Sequence, residues 1–154
     1  MIIIGTDLPG PANYLLNLNL NQSKIIWAYS RNLKSFYKSN NISAKKDWAN
    51  LKDAKCVLTG TSGNFSIDKK LILWSKKNNI PSISFIDHWS LFRYRFKRNK
   101  HYLFPDIIIV NDKIAFNLAI SDGIPRSKLL IGGNPVLENL YKNKKKNLKK
   151  SLSL

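Results

Sequence analysis

The chain has 154 residues, 44% hydrophobic and 11% aromatic, which suffices for one compact domain with a core and is too short for two. Lys and Arg number 26 against 9 Asp and Glu, a formal net charge of +17 at pH 7. That content of aromatic and branched residues excludes a disordered chain. The single cysteine, Cys56, excludes a disulfide framework or a cysteine-based zinc finger.

The first apolar run, Ile2–Gly5, reads as a strand. It stops at Gly5 with no basic segment before it, so it is not a signal-peptide core, and a reducing cytoplasm is the expected compartment. No later apolar run reaches the roughly 18 residues that span a bilayer. Lys24–Tyr29 is the second predicted strand. Residues 32–50 are polar and Asn-rich and predict a helix followed by a loop. Lys55–Thr59 is the third strand, with Cys56 expected as a buried, inert thiol. A helix from about Phe65 to Asn78 follows, in which Leu71, Ile72, Trp74 and Ser75 mix a buried face with exposed lysines. Ser82–Ile86 is the fourth strand and Asp106–Val110 the fifth. Between them lies Trp89–Lys100, which reads either as a contact surface or as a helix that packs Leu91, Phe92 and Phe96 inward. The clearest helix is Asp112–Asp122, with Asp112 as N-cap, Ile114, Leu118 and Ala119 on one face, Gly123 at the C-cap and Pro125 beyond. Lys128–Ile131 is the sixth strand. The lysine-rich stretch after Tyr141 either frays or extends a last helix.

Short apolar runs alternating with longer mixed segments are the βαβ rhythm. Several runs are near-continuous Ile, Val and Leu, as in parallel strands buried on both faces. The expected fold is therefore α/β: a Rossmann-like three-layer domain with a mainly parallel sheet of about six strands. Residues 1–141 form the domain, and 142–154 a Lys-rich tail or linker.

In such a sheet, ligands bind outside the carboxyl ends of the strands. The residues there are Gly5, Thr6, Asp7 and Gly10 after the first strand, and Thr59, Gly60, Thr61 and Ser62 after the third. Asp87 and His88 follow the fourth, Asn111 the fifth and Asn134 the sixth. The first loop lacks the G-x-G-x-x-G and P-loop spacings, so its glycines serve either a ligand or the turn itself. The Thr59–Asn64 loop opens a helix whose dipole favours an anion or a sugar hydroxyl. Its Ser62 or Asn64 equally suits a plain N-cap. Asp87 and His88 pair a carboxylate with an imidazole and are the candidate general base. Neighbours on a strand point to opposite sides, so one of the two faces the cleft. No metal site is expected, because His88 and His101 have no ligand spacing and no D-x-D occurs.

Trp89–Lys100 (WSLFRYRFKRNK) interleaves aromatics with Arg93, Arg95 and Arg98. Trp89 and these arginines form a candidate membrane or phosphate contact. The alternative is an ordinary helix with solvated arginines.

The stretches "IPSISFIDHW" and "FPDIIIVNDKIAFNLAISDGIPRSKLLIGGNPVLENL" resemble the second half of the N-terminal domain of GT-B-type sugar-nucleotide proteins. The group resembled is the non-hydrolysing UDP-N-acetylglucosamine 2-epimerases and related bacterial polysaccharide-biosynthesis glycosyltransferases. The residues that carry it are Ile80-Pro81, Gly123-Ile124 and Gly133-Asn134-Pro135-Val136, with the small polar loop Thr59–Gly63 where the family faces the sugar. The likeness runs from about Cys56 to Leu140. Asp87 is the counterpart of the family's catalytic acidic residues. The resemblance implies an acceptor-side half of a glycosyltransferase or epimerase-like protein, inactive without a C-terminal nucleotide-binding half. That half would be a separate chain or a further domain. No cofactor is implied; a nucleotide-sugar donor would be the substrate and a sugar or lipid-linked sugar the acceptor.

The charge adds a second expectation. Lys142–Lys150 (KNKKKNLKK) holds six lysines and no acid, which leaves +11 on the rest. A balance of that size favours an anionic neighbour, here the inner face of the membrane. A nucleic-acid-binding module is the competing class, though no helix-turn-helix, zinc, RRM or KH signature is present. A non-catalytic interaction module is the third.

Overall fold

The structure is a computed structural model that describes residues 1–51, 53–63 and 66–152, with 145–152 as backbone alone. Seven parallel strands form the main sheet: β1 (Ile2–Gly5), β2 (Ile25–Ala28), β3 (Ala44–Lys45), β4 (Cys56–Thr59), β5 (Ser82–Ile86), β8 (Ile107–Val110) and β9 (Leu129–Ile131). Their order is β3-β2-β1-β4-β5-β8-β9. A second, two-stranded antiparallel ribbon pairs β6 (Lys97–Arg98) with β7 (His101–Tyr102). The helices are α1 (Pro9–Leu16), α2 (Lys34–Ser39), α3 (Ile67–Lys77), α4 (Lys113–Ser121) and α5 (Pro135–Leu152).

The two faces of the sheet follow from the period of two along each strand. Ile4, Trp27, Leu58 and Phe85 pack with Ala12, Tyr14 and Leu15 of α1 and with Tyr37 of α2. Their neighbours Ile3, Ala28 and Val57 point the other way, onto Ile67 and Leu71 of α3. Further along, Ile86, Ile108 and Val110 meet Ala115 and Ala119 of α4. Val136 places the start of α5 on the α1 side. This is the three-layer, Rossmann-like α/β architecture expected from the sequence. Full burial of a side chain such as Leu71 stabilises it by about 1.5–3 kcal/mol.

Several local expectations are corrected. The sheet gains a seventh strand, β3, whose two residues carry no apolar pattern. Residues 32–50 hold only the six-residue α2 before β3 and a 3-10 turn at Trp48–Asn50. On α4, Asp112 does cap the helix, accepting from the Ala115 N–H at 2.7 Å, and Gly123 takes φ +86 beyond its end. The buried face, however, is Ala115 and Ala119, while Ile114 and Leu118 are exposed. Alanines let the helix lie close to the sheet; the larger side chains flank that contact. In α3, Lys69 is buried rather than exposed. Phe65, the expected start of that helix, lies outside the described residues. Residues 142–152 extend α5.

The β5–β8 crossover is not the expected helix. It is a loop with a 3-10 turn at Tyr94–Phe96, followed by the β6–β7 ribbon. Phe92 and Phe96 anchor it in the core, but Leu91 points out. Positive φ at Leu91 and Asn99 breaks any helix across this span.

Candidate functional site

The sheet order reverses between β1 and β4, so the edge above these strands is where an open α/β sheet holds ligands. Here that crevice is packed shut. A Cβ on Gly60 would stand 2.3 Å from Pro11 Cβ and 2.6 Å from Thr6 Oγ1, so this glycine lets the β4 loop lie against the first turn of α1. Gly5 serves packing too, since a Cβ there would meet Leu71 Cδ1 of α3 at 2.4 Å. Thr59 is turned inward and shares a hydrogen bond with the Ser84 hydroxyl at 2.6 Å. Both Asp7 oxygens are engaged: Oδ1 accepts from Ser30 Oγ and Oδ2 from the Ile67 N–H at 3.0 Å. Asp7 thereby caps α3, a task the sequence assigned to Ser62 or Asn64; Asn64 lies outside the described residues.

Behind this loop lies a polar cluster that sequence reasoning missed. Asp68 is buried and accepts from Ser66 Oγ at 2.5 Å. Its Oδ1, together with Thr6 Oγ1 and Ser62 Oγ, is buried without a hydrogen-bond partner. Burial pushes the Asp68 carboxyl up, against the pull of the Ser66 hydroxyl, and the nearby Asp7 adds to the rise. Lys69 is buried beside it, donating from Nζ to the carbonyls of Ser62 (3.2 Å) and Gly63 (2.8 Å). Burial lowers its pKa while Asp68 counters. The missed signal was the helical period: position 68 shares a stripe with Leu71, Ile72 and Ser75.

The rest of the edge lies above β5 and β8. Asp87 follows β5 directly, and its side chain is 10% exposed. Its Oδ1 is buried without a partner. Gly10, in the first turn of α1, makes room for it: a Cβ there would come within 3.1 Å of Asp87 Oδ2. The carboxylate thus sits by the positive end of α1. From β8, Asn111 donates Nδ2–H to the Asp87 carbonyl at 3.3 Å and keeps a buried, unpartnered Oδ1. From the crossover loop, Arg95 Nη1 lies 3.5 Å from both the carbonyl and the hydroxyl of Thr61, and Nε donates to Ser90 O at 3.2 Å. Burial lowers the Arg95 pKa, and the charge of Asp87 opposes that. A carboxylate, an amide oxygen and a guanidinium therefore converge, able to accept from hydroxyls and to face an anion.

The remaining candidates stand around this group. His88 is 61% exposed, with Nε2 3.7 Å from Asp87 Oδ2. Trp89 donates its indole N–H to Asp112 Oδ2 at 2.9 Å. The Arg93 guanidinium lies 3.9 Å over the Tyr102 ring, and Arg98 is on the exposed ribbon. Asn134 caps α5, accepting from the Val136 and Leu137 N–H groups at 3.1 and 3.3 Å. The Tyr14 hydroxyl donates to Gly133 O at 2.6 Å. Burial pushes its pKa up to about 12, with Glu138 and Asp87 adding to the effect. Among the described residues, no three His, Cys, Asp or Glu side chains gather as a metal site, and no helix is long and apolar enough to cross a membrane. Cys56 is half-buried, and burial raises its thiol pKa.

No protein-family model matches the chain, and no curated protein matches it in sequence. Among solved structures it is similar to a UDP-GlcNAc 2-epimerase from Neisseria meningitidis, determined with UDP-GlcNAc bound, at 18% identity and a TM-score of 0.51. The match covers 97% of this chain and 52% of that one, so the chain spans about half the length of its structural neighbour. At this identity the likeness is one of fold alone: a Rossmann-like α/β unit that matches a GT-B-like half.

Proposed function

We propose that this chain supplies the acceptor-side half of a GT-B-like enzyme that uses a nucleotide-sugar donor, a glycosyltransferase or epimerase-like protein of cell-envelope polysaccharide synthesis. The donor half is contributed by the same polypeptide or by another. In the transfer reaction Asp87 is the base. It takes the proton of an acceptor hydroxyl as that oxygen bonds to the donor's anomeric carbon and the nucleoside diphosphate leaves. Asn111 accepts from a neighbouring hydroxyl, and Arg95 faces the developing negative charge. His88, on the solvent side of Asp87, can pass the proton outward.

The observation that carries this reading is the orphaned Asp87 Oδ1, a buried acceptor at a strand tip with no donor among the described residues. Such an atom costs stability unless something binds to it. The test is saturation-transfer NMR with monosaccharides, disaccharides and UDP-sugars, on the wild type and on Asp87→Asn. Sugar signals that depend on Asp87, without turnover of UDP-sugars by this chain alone, support the proposal. Unaided turnover overturns the half-enzyme assignment, and equal sugar binding by both proteins removes Asp87 from the site.

A further inference from the structure

The crossover loop beside this edge exposes side chains that a soluble surface would hide. Trp89, Leu91 and Tyr94 are 44%, 62% and 50% exposed. Leu91 also holds φ +55, a left-handed conformation that a leucine rarely adopts. The fold thus holds a strained backbone to present an apolar side chain to solvent, and none of the described residues covers it. The loop is not slack. Phe92 and Phe96 root it in the core, the indole of Trp89 is pinned to Asp112, and Arg93 N–H donates to Asp122 Oδ2 at 2.9 Å. Around the apolar tip, residues 93–100 carry five Lys and Arg, and no acid occurs between Asp87 and Asp106. Lys97, Arg98 and Lys100 are exposed on the ribbon.

We propose that this loop is a wedge for an anionic lipid bilayer: Trp89, Leu91 and Tyr94 enter the interface, and the cations of the β6–β7 ribbon meet the headgroups. Charge complementarity selects the occupant. A rigid apolar tip on the same loop as a cationic ribbon suits a surface that is apolar below and anionic above. Nucleic acid offers phosphate, but no place for an exposed leucine. The arrangement would turn the Asp87 edge towards the membrane. It stands apart from the role of Asp87, since vesicle binding can fail with sugar binding intact, and the reverse.

The test is flotation of the full chain with vesicles of pure phosphatidylcholine and of phosphatidylcholine mixed with phosphatidylglycerol, across a salt series. Leu91→Asn is the decisive variant, because asparagine tolerates positive φ and the fold is not endangered. Binding to the anionic vesicles that survives added salt in the wild type, and falls about tenfold in Leu91→Asn and in Tyr94→Ser, is the expected result. Three outcomes overturn the proposal. One is equal binding by the wild type and Leu91→Asn, which would assign attraction to the lysines of α5 or leave Leu91 for a protein contact. Another is complete release by salt. The third is preference for a nucleic-acid duplex over vesicles, insensitive to Leu91.

Discussion

Gly10 and Asp87 belong to different layers, yet they are separated by little more than a methyl group: a Cβ on Gly10 would stand 3.1 Å from Asp87 Oδ2. The position is exposed and helical, so alanine there should favour the helix by up to about 1 kcal/mol. The added methyl must instead displace the tip of Asp87 by a few tenths of an ångström. Gly10→Ala is therefore expected to keep or raise Tm while weakening Asp87-dependent sugar binding about tenfold, because small misplacements of a reacting group are costly. Thermal melts paired with NMR titration check this. A variant that loses both together would mean that Gly10 serves the fold alone.

Gly60 is the opposite case. Its missing Cβ would overlap Pro11 Cβ and Thr6 Oγ1 at 2.3 and 2.6 Å, against a ring and a buried β-branched residue that have nowhere to go. Gly60→Ala should destabilise by about 1–3 kcal/mol through overpacking. For a chain of this length that lowers Tm by roughly 2–12 °C. Denaturant titration should show a lower midpoint with an unchanged slope.

The same contrast explains what was legible in the sequence. Runs such as Ile2–Gly5 and Ile107–Val110 announce buried parallel strands because both faces need apolar residues, and the strand tips then locate Asp87 and Asn111. The strand β3 stayed hidden because Ala44 and Lys45 lie at the sheet edge and bury little. Lys69 defeats composition-based reading altogether: its burial depends on two carbonyls of the β4 loop, which only the folded chain brings to Nζ. Leu91 defeats it in the other direction, since apolarity suggests core while a positive φ turns the side chain out. The stacking of Arg93 on Tyr102 was likewise out of reach, because only the ribbon brings the two together.

Asp106 ties the start of β8 to the start of β5, accepting from the N–H and the hydroxyl of Ser82, both at 2.8 Å. Partial burial pushes its carboxyl up, but the two Ser82 donors with Lys76 and Lys128 outweigh this and hold it below the usual range. A carboxyl with a depressed folded-state pKa contributes stability above its unfolded pKa and loses it as pH falls through the folded one. Asp106→Asn should therefore lower Tm modestly at neutral pH, and the deficit should close on acidification below about pH 4. A deficit that persists in acid would assign the loss to hydrogen-bond geometry rather than to charge.

Asp68 carries the reverse sign. Its folded-state pKa is raised, chiefly by burial, so the folded chain holds a proton that the unfolded chain has already released. Stability is then fully present below the unfolded pKa, about 4, and is lost as pH rises through the folded one. Asparagine keeps an acceptor for the Ser66 hydroxyl and removes the ionisation. It also withdraws the negative charge that supports Lys69, so the gain is partial. Asp68→Asn is expected to match the wild type near pH 4 and to exceed it in Tm at pH 7–8. Melts across that series decide the matter: a difference that does not change with pH would mean that folding leaves the Asp68 pKa unshifted.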